Sequence, residues 1–151
     1  MKLSGERLLG TSRDVVWRLL NDGEVLQRCI PGCESLSGNL EDGYAARVVL
    51  KIGPIKATFS GDVTFSEVRP GEGYRISGKG QGGIAGFASG GALVALQDDE
   101  GGTRLVYDAE AQVGGKIAQL GARLIDSTAR KLTEAFFTKF AEEVAAFEAH
   151  A

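Results

Sequence analysis

The chain has 151 residues, 43% of them hydrophobic and 25% charged, a composition suited to one globular domain, 1–151, with a substantial core. A formal net charge of −3, with no clustering of Lys and Arg, excludes the basic footprint that a nucleic-acid partner requires. No window has the apolar length of a bilayer span and the opening MKLSGERLLG lacks a secretory apolar run, so a cytoplasmic location is expected.

Residues 3–9 predict a first strand. In TSRDVVWRLLND, Thr11 or Ser12 serves as a helix cap and Asp14 stands in the first turn, where negative charge is favoured. Val15, Val16, Leu19 and Leu20 form the apolar stripe of this short helix. A second short helix is predicted over residues 24–29, stopped by Pro31 and Gly32.

Cys29 and Cys33 flank that stop and are expected to be reduced, part-buried thiols. A zinc site would need two more ligands, and the sole histidine, His150, lies beside the last residue. The same count leaves Ser-His-Asp and Cys-His catalysis without a base. No metal site and no catalytic residue is expected.

From Glu34 the period changes to two. GYAARVVLKIG puts Tyr44, Ala46, Val48, Leu50 and Ile52 on one face, and IKATFSGDVTFSEV does the same with Ile55, Ala57, Phe59, Val63 and Phe65. The two predict a long hairpin turning at Gly53 and Pro54. GYRISGKG, FASGGALVALQDD and GTRLVYDAEAQV continue as strands with no helix between them, which gives an antiparallel meander.

Gly78, Gly80 and Gly83 carry the spacing G-x-G-x-x-G. A dinucleotide fingerprint works because its glycine turn leads into a helix whose amino end meets the pyrophosphate, whereas here IAGFASGGALVALQ follows, which reads as strand. The glycines are therefore expected to join strands and to leave volume missing from the inner face of the sheet.

The last segment, residues 115–147, predicts one long helix on Ile117, Leu120, Leu124, Leu132, Phe136, Phe140, Val144 and Phe147. Such a helix suits a wide, curved sheet that wraps around it. Its second half is aromatic and fills a core. Its first half carries Ala118, Gly121, Ala122 and Ala129, and set against Gly78, Gly80, Gly90 and Gly91 it predicts an apolar pocket.

This order of elements, α+β with two short helices after strand 1 and about seven antiparallel strands curved around a C-terminal helix, resembles the helix-grip fold of birch pollen allergen and START lipid-transfer domains. The sequence itself resembles the G-subunit family of carbon monoxide dehydrogenase. The resemblance lies in IPGCESL (residues 30–36), GPIKATFSG (53–61), GQGGIAGFASG (80–90) and VGGKIAQLGARLIDSTARKL (113–132).

The resemblance implies a non-enzymatic accessory protein of a molybdenum hydroxylase of the carbon monoxide dehydrogenase type. It implies a hydrophobic ligand, a membrane quinone or another lipid, as the only cofactor-like molecule, and partners in the dehydrogenase subunits and the inner membrane surface, where peripheral contact is expected. Inward strand parity and the helix stripe then nominate Leu50, Ile52, Phe59, Ile76, Phe87, Tyr107, Leu120, Leu124 and Ile125 as the lining. The loops IGPIK and GQGGIAG are expected at the mouth, with Lys51 and Lys56 near lipid phosphates. Two other readings stand beside this one. A docking or assembly factor for the hydroxylase would need no ligand, and an enzyme would use Asp108 or Glu110, although parity points both away from the core face holding Tyr107 and Ala109.

Overall fold

The computed structural model describes residues 1–150, so the expected domain boundary at residue 151 lies one residue outside the described range. Strand β1 (Lys2–Leu9) is followed by the short helices α1 (Arg13–Leu20) and α2 (Gly23–Cys29). Six further strands follow: β2 (Cys33–Asn39), β3 (Gly43–Ile52), β4 (Ile55–Arg69), β5 (Gly73–Gln81), β6 (Phe87–Asp99) and β7 (Gly102–Gly114). Helix α3 (Ala122–Ala149) is the last regular element among the described residues. The seven strands form one antiparallel sheet in the order β1-β7-β6-β5-β4-β3-β2. Strand β1 closes the far edge by pairing Lys2 with Glu110 and Leu9 with Thr103.

Local chemistry explains the helix boundaries. Ser12, not Thr11, caps α1, its Oγ accepting from the Val15 N–H at 3.4 Å. Thr11 is buried instead: its hydroxyl donates to Glu148 near the end of α3, and its carbonyl accepts from the Thr103 hydroxyl at 2.7 Å. Asp22 caps α2, with Oδ1 accepting from the N–H groups of Glu24 (3.0 Å) and Val25 (3.4 Å). Pro31 and Gly32 then turn the chain into β2.

The C-terminal segment departs from the single helix over residues 115–147. A 3-10 turn spans Lys116–Leu120, the chain passes through Gly121 at φ +96°, and α3 begins only at Ala122. The apolar spacing of Ile117, Leu120 and Leu124 suits either winding, which is why periodicity alone joins them. Gly121 makes the break, because its backbone sits in a region that L side chains rarely adopt.

Two apolar clusters hold the sheet to the helices. The larger contains Val16, Leu19 and Leu20 of α1, Leu96 and Leu105 of the sheet, and Phe140 and Val144 of α3, with Phe140 wholly buried. Phe136, Phe137 and Tyr107 pack against it, the last two stacked at 5.4 Å between ring centroids. The smaller cluster, toward the start of α3, contains Ile52, Phe59, Ala85, Ile117 and Ile125. Among the described residues, no helix is long and apolar enough to cross a membrane.

Candidate functional site

Between these clusters the inner face of the sheet and α3 do not meet. They leave a cavity of about 520 Å³. Strand alternation decides which side chains face it: Ala46, Val48, Leu50 and Ile52 of β3, Phe59, Gly61 and Val63 of β4, and Ile76, Gly78 and Gly80 of β5. Across the sheet, Ala88, Gly90 and Ala92 of β6 and Ala111 and Val113 of β7 continue the surface. Ile117, Ile125, Thr128, Ala129 and Leu132 close it from the helical side. The spacing of the α3 residues, three and four apart, is one face of a helix.

The cavity is apolar in character. Thr128 contributes the one hydroxyl on its α3 wall, and that hydroxyl is satisfied by donation to the Leu124 carbonyl at 2.9 Å. Lys79, Ser89 and Glu110 border it from exposed positions, and Glu110 is paired with Lys2 at 3.8 Å. The space exists because small residues stand where large ones would fill it: Gly78, Gly80 and Gly90 face the cavity from adjacent strands, and Ala129 faces it from α3. Of the four glycines expected at the pocket, Gly91 also borders the cavity, although by register it shares the outer face with Ser77.

Five of the nine nominated positions meet here: Leu50, Ile52, Phe59, Ile76 and Ile125. The other four lie elsewhere, each for a definable reason. Phe87 has the wrong parity. It pairs with Gly114, its ring covers that glycine on the outer face, and it is 46% exposed, while its neighbour Ala88 turns inward. Tyr107 has the inward parity but sits farther along β7, where its ring stacks on Phe137. Leu120 belongs to the 3-10 turn and packs on the smaller cluster. Leu124 faces the β3–β4 turn, so that a Cβ added to Gly53 would lie 2.8 Å from its Cδ2.

Parity and stripe also missed lining residues. Val48 and Val63 were legible as neighbours of Leu50 and Phe59 on the same faces, and Ile117 and Leu132 as members of the helix stripe, whereas Ile30 and Met1 arrive only through tertiary folding.

The loops expected at the mouth lie at the end of the smaller cluster. The loops 52–56 and 80–86 close over the smaller cluster, with Ala85 and Ile117 buried beneath them. The cavity adjoins two grooves beside α3. One shares Met1, Ala111, Val113 and Ile125 with it and extends to Gln112, Ala118, Ala122 and Asp126. The other shares Ile30 and runs past Pro31 and Cys33 to Ala135 and Thr138.

Asp108 and Glu110 are exposed, as strand parity requires. Cys29 is buried and its thiol is pushed up to about 11 by that burial, with Glu143 adding to the effect. Burial also raises Cys33. Both are free thiols, and among the described residues no three of His, Cys, Asp and Glu gather as a metal site would require.

Comparison with known proteins sets this geometry in context. The family model for CoxG, the G subunit of carbon monoxide dehydrogenase, matches residues 5–145. A conserved protein from Geobacillus kaustophilus, known from its crystal structure, is 32% identical, with 97% of this chain and 96% of that chain covered at a TM-score of 0.89. A Thermus thermophilus protein at 18% identity (97% and 98% covered, TM-score 0.69) and Ara h 8.0201 at 14% (97% and 98%, TM-score 0.64) share the fold. Among curated proteins, none matches.

Proposed function

The chain belongs to the CoxG family, that of the carbon monoxide dehydrogenase G subunit, and on that premise we propose that it is a non-enzymatic accessory protein that carries a membrane quinone to a molybdenum hydroxylase of the carbon monoxide dehydrogenase type. The observation that carries this reading is the cavity itself: about 520 Å³ of apolar space with a built glycine and alanine wall. A space of that size falls within the range of small-molecule sites. Each methylene of an isoprenoid tail moved from water into it gains roughly 0.8 kcal/mol, so binding needs no charged anchor. A bilayer offers the same gain to the same tail. Transfer between the two is then close to balanced, which is what a carrier requires.

Chemistry of the lining supports carriage over turnover. Among the described residues its side chains include no imidazole or thiol; its one carboxylate, Glu110, stands exposed at the border with Lys79 and Ser89, and the adjoining groove offers Gln112 and Asp126 to a quinone head.

Native mass spectrometry of detergent-free protein, followed by solvent extraction, tests the reading. A co-purifying mass with a quinone absorbance spectrum is the expected result. A mass equal to the bare chain that stays unchanged after incubation with decylubiquinone would overturn it in favour of a docking factor.

A further inference from the structure

The two grooves that adjoin the cavity lie on opposite sides of α3. At about 100° per residue, Ile125, Ala129 and Leu132 form the stripe that faces the cavity, Ala122 and Asp126 fall on one flank of that stripe, and Ala135 and Thr138 fall on the other. The groove holding the first pair opens toward β7, past Ala111 and Gln112. The groove holding the second opens toward α2 and β2, past Ile30, Pro31 and Cys33. Ala122, Asp126, Ala135 and Thr138 are all exposed, so the cavity has an outlet to solvent on each side of the helix.

The sheet side of the cavity runs in the same direction. Register aligns Ala46, Gly61, Gly80, Ala88 and Val113 in one row across β3 to β7, and Val63, Gly78, Gly90 and Ala111 in the next. Val48 and Phe59 border these rows on one side, Phe65 and Ile76 on the other. Five strands about 4.8 Å apart span roughly 19 Å. Ala122 to Ala135, at about 1.5 Å per residue, spans roughly 20 Å. The two lengths agree, so the void crosses the strands from one groove to the other.

Its two ends differ in chemistry. In the α2 groove the polar side chains are largely engaged: Gln27 Nε2 donates to the Glu34 carbonyl at 3.2 Å, Arg28 pairs with Glu143, and Lys139 lies 3.7 Å from Glu142. In the β7 groove Asp126 is in no ion pair among the described residues. Free polar capacity therefore sits at the β7 end, and Ile30, Pro31 and Ala135 give the other end an apolar track. Volume sets a further condition. At roughly 30 Å³ per water-sized group, 520 Å³ holds on the order of seventeen such groups. That is room for a quinone ring and a short tail, and too little for a polyprenyl chain.

We propose that the cavity is a passage open on both flanks of α3 that threads a linear isoprenoid chain longer than itself, with the ring at the Gln112 and Asp126 end and the tail leaving past Ile30 into the groove beside Ala135. A blind pocket rejects a chain that exceeds its volume. A passage admits it, because only the threaded length has to fit. The proposal rests on the carrier reading and specifies its ligand by length and shape.

Uptake from phosphatidylcholine vesicles tests it, with decylubiquinone as the short probe and solanesyl-tailed ubiquinone as the long one, and with bound quinone measured by solvent extraction of protein separated from the vesicles. Unaltered protein is expected to take up both. Ala135→Trp is expected to weaken the long probe at least about tenfold more than the short one, a change that the loss of two buried methylenes supplies. Because Ala135 is exposed, the melting curve of this variant is expected to match that of unaltered protein. A second readout needs no variant: the long probe is expected to slow N-ethylmaleimide labelling of Cys33, which lines the α2 groove, more than the short probe does. Uptake of the short probe alone, an Ala135→Trp variant that treats the two probes alike, or Cys33 labelling that the long probe does not slow overturns the passage. Failure of unaltered protein to take up either probe defeats the carrier reading instead, so the two failures are distinguishable.

Discussion

Gly78 and Gly90 face each other across β5 and β6, yet they differ in what they can tolerate. A Cβ on Gly78 would lie 3.5 Å from the Asp62 carbonyl oxygen and 3.6 Å from Val63 Cγ2, which is ordinary contact, whereas on Gly90 it would come within 2.3 Å of the Glu110 carbonyl oxygen. Gly78→Val is therefore expected to keep or raise stability, by up to about 1 kcal/mol, because a strand glycine is replaced by a β-branched residue. Its added carbons displace two or so tail methylenes, so decylubiquinone titrations should show binding weakened roughly tenfold. Gly90→Ala is expected to destabilise by about 1–3 kcal/mol in urea titrations. Parity reading found the inward faces of β3, β4 and β5 at this scale because their alternation is uninterrupted there. It failed at Phe87, where the exposed aromatic begins β6 after a glycine-rich loop that hides the phase. Tyr107 shows a different limit: alternation gives the face of a residue but not its depth along the strand, and only the Phe137 contact fixes the latter.

At the level of elements, the order strand, two helices, six strands and helix was legible because each change of period is long and is bounded by Gly, Pro or Asp. The start of α3 was not. Ile117, Leu120 and Leu124 continue the apolar spacing through Gly121, and only the +96° φ of that glycine separates the 3-10 turn from the helix. A residue that merely interrupted an otherwise continuous helix would gain from replacement by alanine. Gly121→Ala is instead expected to cost about 1–2 kcal/mol of stability in urea, because alanine must adopt a strained backbone there. Since the 3-10 turn supplies Ile117 to the cavity, that variant should also loosen the smaller cluster.

Taken whole, the molecule is a curved sheet clasping one helix at two apolar contacts, with the cavity between them. The aromatic cluster around Phe140 anchors the distal part of α3, while the smaller cluster joins its start to the β3–β4 turn and the 80–86 loop. Stability and cavity space are thus assigned to different lengths of the same helix. A cavity is also a mechanical property. Internal void volume is eliminated when a chain unfolds, so pressure favours the unfolded form of a protein built this way. Fluorescence of Trp17 under hydrostatic pressure is expected to show a midpoint that rises for Gly78→Val and rises again with decylubiquinone. A midpoint indifferent to both would mean that the sheet collapses onto α3 in solution. The cavity thus leaves the protein compressible, and its compressibility becomes a gauge of whether the proposed ligand fills it.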